Sequence, residues 1–221
     1  MMQKERYCHS MEVSVEYPYL VYTPADFQAE ERLPMIVFLH GAGERGSDPE
    51  RMKCHSIPKL FDGPVNYRCV VICPQCPDGQ VWNTQVDKVK EFIVCMAEQY
   101  HVDREKISLT GVSMGGYGCW ELAMNYPELF CALAPVCGDG MPWRAGLLKD
   151  LPVWAFHGEA DNVVFPEGSK RMIDAINRVG GQAKLTLYPG VGHDCWVKAY
   201  APETGLIEWL LSGGRAVGSI R

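Results

Sequence analysis

No run of eighteen or more apolar residues occurs in the 221-residue chain, so no membrane-spanning helix is expected. The opening residues, Met1-Met2-Gln3-Lys4-Glu5-Arg6-Tyr7, lack the apolar centre that a secretory signal needs, which leads to a cytoplasmic expectation. Basic runs interleaved with aromatics are missing too, and the formal net charge is −6. That sign disfavours phosphate backbones and anionic lipid, so neither nucleic acid nor membrane is an expected partner. Internal repeats, low-complexity tracts and linkers are also absent. One domain is the simplest organisation, because a chain of this length can bury a full α/β core. The Gly-rich tail 212–221 is expected to be mobile.

Cysteine, by contrast, is plentiful: 10 residues, most of them scattered singly through apolar segments. That distribution suits small buried hydrophobes in a reducing compartment. Cys73-Pro74-Gln75-Cys76 has metal or redox spacing, but a zinc ribbon needs a second pair and the chain has none. Pro77-Asp78-Gly79 reads as a turn, whereas a redox pair usually opens a helix. His9, Cys54, His55 and His101 show no ligand spacing, so neither a metal nor a cofactor is expected.

The hydrophobic fraction of 47% and charged fraction of 22% are those of an ordinary globule. Segments 35–39 and 69–73 are continuous apolar runs, as expected of strands buried on both faces of a parallel sheet. Further strands are predicted at 107–110, 131–136, 152–156 and 184–187, with an N-terminal hairpin or bent strand over 13–22. Helical spacing marks 86–100, 116–126, 167–179 and a last helix over about 196–211. Alternating strands and helices predict a doubly wound, mostly parallel α/β sheet with helices on both faces.

Four polar clusters follow predicted strands: His40-Gly41-Ala42-Gly43-Glu44-Arg45-Gly46, Gly111-Val112-Ser113-Met114-Gly115, His157-Gly158-Glu159-Ala160-Asp161 and Gly190-Val191-Gly192-His193-Asp194. Ligands bind outside the carboxyl ends of the strands in such sheets, so the four clusters are expected to converge. A serine between glycines at a strand-to-helix turn is a nucleophile elbow. Its hydroxyl needs a base, for which His193 is the candidate, and the imidazole needs an anionic orienter, for which Asp161 is the candidate. Asp139 is the rival acid. Asp194 is expected to make a local turn bond, and His40 and His157 are read as structural. The oxyanion donors expected are the Met114 amide and the amide of Ala42 or Gly43. Activity is expected to rise with pH as His193 loses its proton.

Gly41-x-Gly43-x-x-Gly46 also matches a dinucleotide fingerprint. That reading needs a helix opening at the glycines and an acid at a strand end about 20 residues on. Asp62 lies in a turn, and Ser47-Asp48-Pro49-Glu50 places the helix start after the loop. The order Ser113, Asp161, His193 instead matches α/β hydrolases.

The motifs 38–46, 111–118 and 188–194, with Cys73-Pro74-Gln75, Val81-Trp82-Asn83 and 152–158, resemble the compact α/β-hydrolase esterases of the phospholipase/carboxylesterase and prolyl-oligopeptidase-like group. Dienelactone-hydrolase and feruloyl-esterase relatives belong to that group, and the likeness runs from about Val21 to Leu211. It implies a serine esterase acting on a small-molecule ester. A peptidase or aminoacyl hydrolase on the same residues is the alternative, and a non-catalytic binding protein is a further one. The interval 138–151 is too short for a large lid, its bulky apolar part being Met141-Pro142-Trp143. An uncapped site suits short or aromatic acyl groups better than long lipid chains. Trp82, Trp143 and Trp196 are placed where they can line a cleft, with Trp82 and Trp196 favoured. Gly43 and Glu44 are candidate substrate contacts.

Overall fold

Strand β2 (Met35–Leu39) is buried at every position, and its alternate side chains feed two separate cores. Met35, Val37 and Leu39 join the cluster packed under α2 (Val86–Gln99), α3 (Met114–Asn125) and α4 (Glu167–Arg178). Ile36 and Phe38 join the cluster under α1 (Ser56–Phe61), α5 (Trp196–Ala199) and α6 (Leu206–Leu211). A continuous apolar run is thus what a strand between two helical layers requires. The other strands are β1 (Tyr19–Tyr22), β3 (Val70–Pro74), β4 (Ile107–Val112), β5 (Ala132–Val136), β6 (Val153–Gly158) and β7 (Ala183–Tyr188). They form one seven-stranded sheet in the order β1-β3-β2-β4-β5-β6-β7. Strand β1 is antiparallel to β3, and the remaining pairings are parallel. This computed structural model describes residues 14–28 and 30–215.

The doubly wound α/β architecture is the expected one, and the interval after β5 holds a single 3-10 segment, Pro142–Leu148, with no large lid. Two local expectations are corrected. The N-terminal segment is a four-residue edge strand after Pro18, which has no amide hydrogen to give a ladder; Pro18 instead accepts from the Gln75 amide at 2.7 Å, and Val13 lies outside the described residues. The last helix is broken. Pro202 opens a 3-10 turn, Pro202–Thr204, and Gly205 takes φ +68° before α6 begins, a conformation that favours glycine. At the start of the tail the Gly214 amide donates to the Trp209 carbonyl at 3.0 Å and Ser212 Oγ to that same carbonyl at 2.8 Å. Residues 216–221 lie outside the described residues.

The glycine-rich turn after β2 opens no long helix. A three-residue 3-10 turn, Ala42–Glu44, is followed by a second 3-10 segment, Pro49–Cys54, which Asp48 caps by accepting the Glu50 amide at 3.2 Å. The dinucleotide geometry is therefore not built. The Cys73/Cys76 pair is packed inside rather than at a helix start. Burial pushes the Cys76 thiol up to about 11 despite the opposing charge of Arg45, far from a reactive thiolate. Among the described residues, no helix is long and apolar enough to cross a membrane.

His157, at the end of β6, is fully buried, with Nε2 at 2.8 Å from the Val164 carbonyl and Nδ1 at 2.8 Å from Ser169 Oγ. A carbonyl only accepts, so Nε2 carries the proton, while the Ser169 hydroxyl beside Nδ1 donates to the Gly138 carbonyl at 3.1 Å. Burial holds its pKa below the ordinary histidine value, against the opposing pull of the Val164 carbonyl and Asp161. Protonation then favours the unfolded chain. The stability from this group is complete above the unfolded value of about 6.5 and is lost as pH falls below it toward the folded value. Urea midpoints measured from pH 8 to 5 should fall in acid, and His157→Gln should flatten that fall by up to about 1.4 kcal/mol per pH unit. Parallel curves for the two proteins would count against a neutral His157.

Candidate functional site

The turn from β4 into α3 lifts Ser113 out of the sheet. Ser113 sits at φ 53° and ψ −116°, outside the ordinary regions for a residue with a side chain. Such strain persists only where the surroundings over-determine it. Here the Ser113 amide is tied to the Val136 carbonyl at 3.0 Å, and the Ser113 carbonyl accepts from the Tyr117 amide at 3.0 Å. The amide of Met114, first residue of α3, has no intrahelical acceptor, as at any helix start.

His193, on the loop after β7, reaches this serine: Nε2 lies 2.8 Å from Ser113 Oγ. Its Nδ1 lies 2.7 Å from Asp161 Oδ2 on the loop after β6. A carboxylate accepts, so Nδ1 carries the hydrogen and Nε2 is the free acceptor for the serine hydroxyl. Asp161 is 3% exposed, and its other oxygen accepts the amides of Val163 at 2.9 Å and Val164 at 3.0 Å. Burial alone would raise its pKa. The hydrogen bond from His193 and those two amides outweigh burial and hold the carboxyl below its usual range. Asp161 is thus a fixed anion under a half-buried imidazole. Asp139, the rival acid, is engaged elsewhere, by the Gly140 amide at 2.7 Å and Arg171 at 3.2 Å. At Asp194 the turn bond is made by the backbone carbonyl, which accepts the Val197 amide at 3.1 Å, and the side chain is exposed.

The turn after β2 lies beside Ser113, since a side chain at Gly41 would come within 3.8 Å of Ser113 Cβ. Two arginines fasten this turn through its carbonyls: Arg45 Nε donates to Ala42 at 2.9 Å, and Arg51 to Gly43 at 3.0 Å and to Arg45 at 3.0 Å. Ala42, Gly43 and Met114 therefore all lie on backbone that flanks the serine. His40 pins the turn from beneath. Its Nδ1 donates to the Gly41 carbonyl at 2.6 Å, and its Nε2 accepts the Cys76 amide at 2.8 Å.

A sequence profile described as the Dienelactone hydrolase family matches residues 72–201, which span β3 through the His193 loop. The chain belongs to the dienelactone hydrolase family. It is 24% identical over 149 residues to the bifunctional acetylxylan esterase/xylanase XynS20E of Neocallimastix patriciarum, covering 65% of this chain and 21% of that protein. Its structure resembles that of a thermostable esterase with a TM-score of 0.79 at 32% identity, covering 90% of this chain and 60% of the other. A feruloyl esterase module from Clostridium thermocellum shares the fold, with a TM-score of 0.68 at 15% identity over 88% of this chain and 82% of that one. The chain spans about a fifth of the length of the xylan-active relative and 60% of the thermostable esterase. Its sheet is that of an α/β hydrolase.

Within this dienelactone hydrolase fold, two expected substrate contacts are misplaced. Trp82 is 1% exposed, with Nε1 donating to the His40 carbonyl at 2.9 Å. It fills the notch that Gly118 leaves on α3, where an added side chain would sit 2.4 Å from Trp82 Cβ. Trp82 is a strut under the turn and does not line the cleft. Glu44 folds back onto its own turn, with Oε1 at 3.4 Å from His55 Nε2 and Oε2 at 3.8 Å from His40 Nδ1. Trp196 does stand at the site, edge-on to His193 with centroids 5.4 Å apart. Its other neighbour is His55, stacked at 5.2 Å. Trp143, the tryptophan not favoured from sequence, is the open one at 81% exposure.

Sequence reasoning missed His55, Arg51 and the contact of His157 with Asp161, which are 3.2 Å apart. His55 stands at the start of the six-residue α1, too short a segment to show periodicity. A cavity of about 430 Å³ lies beyond Trp196 and His55, between α1 and α5, and is lined further by Leu60, Pro64, Val65 and Tyr200.

Proposed function

We propose that the chain is a serine carboxylesterase acting on short-chain or aromatic acyl esters. The observation that carries this reading is the unbroken hydrogen-bonded line from Asp161 through His193 to Ser113 Oγ. In the first half-reaction Ser113 Oγ attacks the ester carbonyl carbon while His193 Nε2 takes the hydroxyl proton. Asp161 holds the resulting imidazolium, and the carbonyl oxygen, now anionic, is met by the amides of Met114 and Ala42. Collapse breaks the bond to the alcohol, which leaves with the proton from His193. Water, deprotonated by the same imidazole, then attacks the acyl-enzyme and releases the acid.

Two features support the acyl preference. The interval after β5 folds as a 3-10 segment rather than a cover, so a long alkyl chain would remain largely in water. The aromatic side chains near the strand ends, Trp196 beside His193 and Trp143 in the open, offer flat apolar surface for an aryl group. The described cysteines are all free, which supports a reducing compartment such as the cytoplasm. The test is a panel of p-nitrophenyl esters from acetate to palmitate, with methyl ferulate and peptide anilides. Turnover should be greatest for acetate, butyrate or ferulate and should fall steeply by palmitate. Faster cleavage of anilides than of esters would overturn the proposal in favour of a peptidase.

A further inference from the structure

Behind the turn that flanks Ser113, the fold gathers three metal-binding side chains that no sequence spacing advertises. The ligand atoms of Glu44, Cys54 and His55 all lie within 4.8 Å of one another. Glu44 ends the first 3-10 turn, Cys54 ends the second and His55 follows it, so the fold-back of these two turns brings the trio together. We propose that Glu44, Cys54 and His55 form a three-ligand site for a zinc ion, with water as the fourth ligand.

The donor chemistry selects the ion. One thiolate, one imidazole and one carboxylate suit borderline-soft Zn²⁺ and disfavour Mg²⁺ or Ca²⁺, which take oxygen. A tetrahedral zinc holds such donors roughly 3.3–3.7 Å apart. Glu44 Oε1 and His55 Nε2 are already at 3.4 Å. Cys54 is exposed, and its Sγ has to close from no more than 4.8 Å to reach that spacing. His55 is oriented as a metal ligand requires. Its Nδ1 lies 2.8 Å from Ser56 Oγ, which fixes the ring and leaves Nε2 facing the carboxylate.

The charge also points to a cation. Glu44 Oε2 is buried without a hydrogen-bond partner on the side of His40, while Oε1 faces His55. Among the described residues the only basic groups within ion-pair reach of this carboxylate are His40 and His55. A desolvated carboxylate without a full counter-charge is costly, and a dication satisfies it. On binding, the Cys54 thiol proton passes to solvent, the Sγ, Nε2 and Oε1 lone pairs fill three positions, and no electron is transferred.

The test is a titration of the reduced, metal-free protein with zinc against a competing chelator, with cobalt(II) as a spectroscopic substitute. Wild type should bind one equivalent, and its cobalt form should show a thiolate-to-metal charge-transfer band. Cys54→Ser and His55→Ala should each weaken zinc binding by more than about 100-fold. Ser56→Ala, which removes only the orienting hydroxyl, should weaken it by about 10–100-fold. His193→Ala should bind as wild type does, which separates this site from the Ser113 chain and from the esterase reading. A wild-type cobalt complex without the charge-transfer band, or unchanged zinc affinity in Cys54→Ser, would overturn the proposal.

Discussion

Ser113→Ala is expected to lower kcat for a p-nitrophenyl ester by about a millionfold while leaving the fold intact. The size follows from the arrangement. In the proposed mechanism His193 takes the proton from Oγ and Asp161 only holds the imidazolium, so removing the serine forfeits the work of all three. What that mechanism leaves is binding and the amides proposed to meet the oxyanion, which in comparable sites retain roughly 10³–10⁴ over water. Asp161→Asn is expected to cost less, about 10⁴-fold, because an amide at the same position stabilises the wrong tautomer of His193 yet leaves the nucleophile present. Folding should survive the serine change, since the turn is held through the Ser113 backbone amide and carbonyl and the side chain's bond is to His193. A fluorophosphonate probe supplies the second measurement. It should label wild type and leave Ser113→Ala unlabelled; equal labelling would mean that another residue is the nucleophile.

The parts of this molecule legible in the sequence were those where a long stretch obeys one physical rule. Met35–Leu39 reads as a two-sided buried strand because all five positions are apolar, and all five are buried. Val89, Phe92, Ile93 and Met96 announce one face of a helix, and with Ala97 they are the side chains that α2 buries. The strand-end clusters were legible for a topological reason: a parallel sheet delivers all its carboxyl ends to one edge, so residues 80 positions apart, such as Ser113 and His193, meet at 2.8 Å.

What escaped was decided by contacts that leave no local pattern. The α5–α6 break carries a visible signal in Pro202 and Gly205, yet the apolar periodicity on either side masks it. Trp82 is apolar and stands on a loop after a strand, as a cleft residue would. Only the absence of a side chain at Gly118, 36 positions later, sends it inward. Glu44 and His55 share no spacing rule at all, because irregular 3-10 turns have neither the 3.6 nor the 2.0 period on which sequence patterns rest.

Gly115→Ala is expected to be the most damaging glycine-to-alanine change among the described residues. A side-chain carbon built at Gly115 would lie 1.9 Å from the Leu39 carbonyl oxygen and 2.8 Å from that of His40. Neither atom belongs to a flexible side chain. Leu39 is the last residue of β2, locked into register with β4, and His40 is held by the Cys76 amide and by Trp82. Relief therefore requires α3 to lift away from the sheet. Helix α3 buries most of its length against β4 and β5, so a shift large enough to clear the clash opens the principal core. Overpacking of a well-fitted interior ordinarily costs about 1–3 kcal/mol; a collision with rigid backbone on this scale belongs to the rare class above about 4 kcal/mol. The substitution should thus remove most of the stability of a domain of ordinary ΔG. It should also move the Met114 amide relative to Ser113, so any folded fraction should turn over ester slowly. Urea denaturation and active-site titration with the fluorophosphonate check the two effects separately. A variant with wild-type midpoint and full labelling would show that strand β2 and helix α3 do not pack as tightly as this carbonyl contact requires.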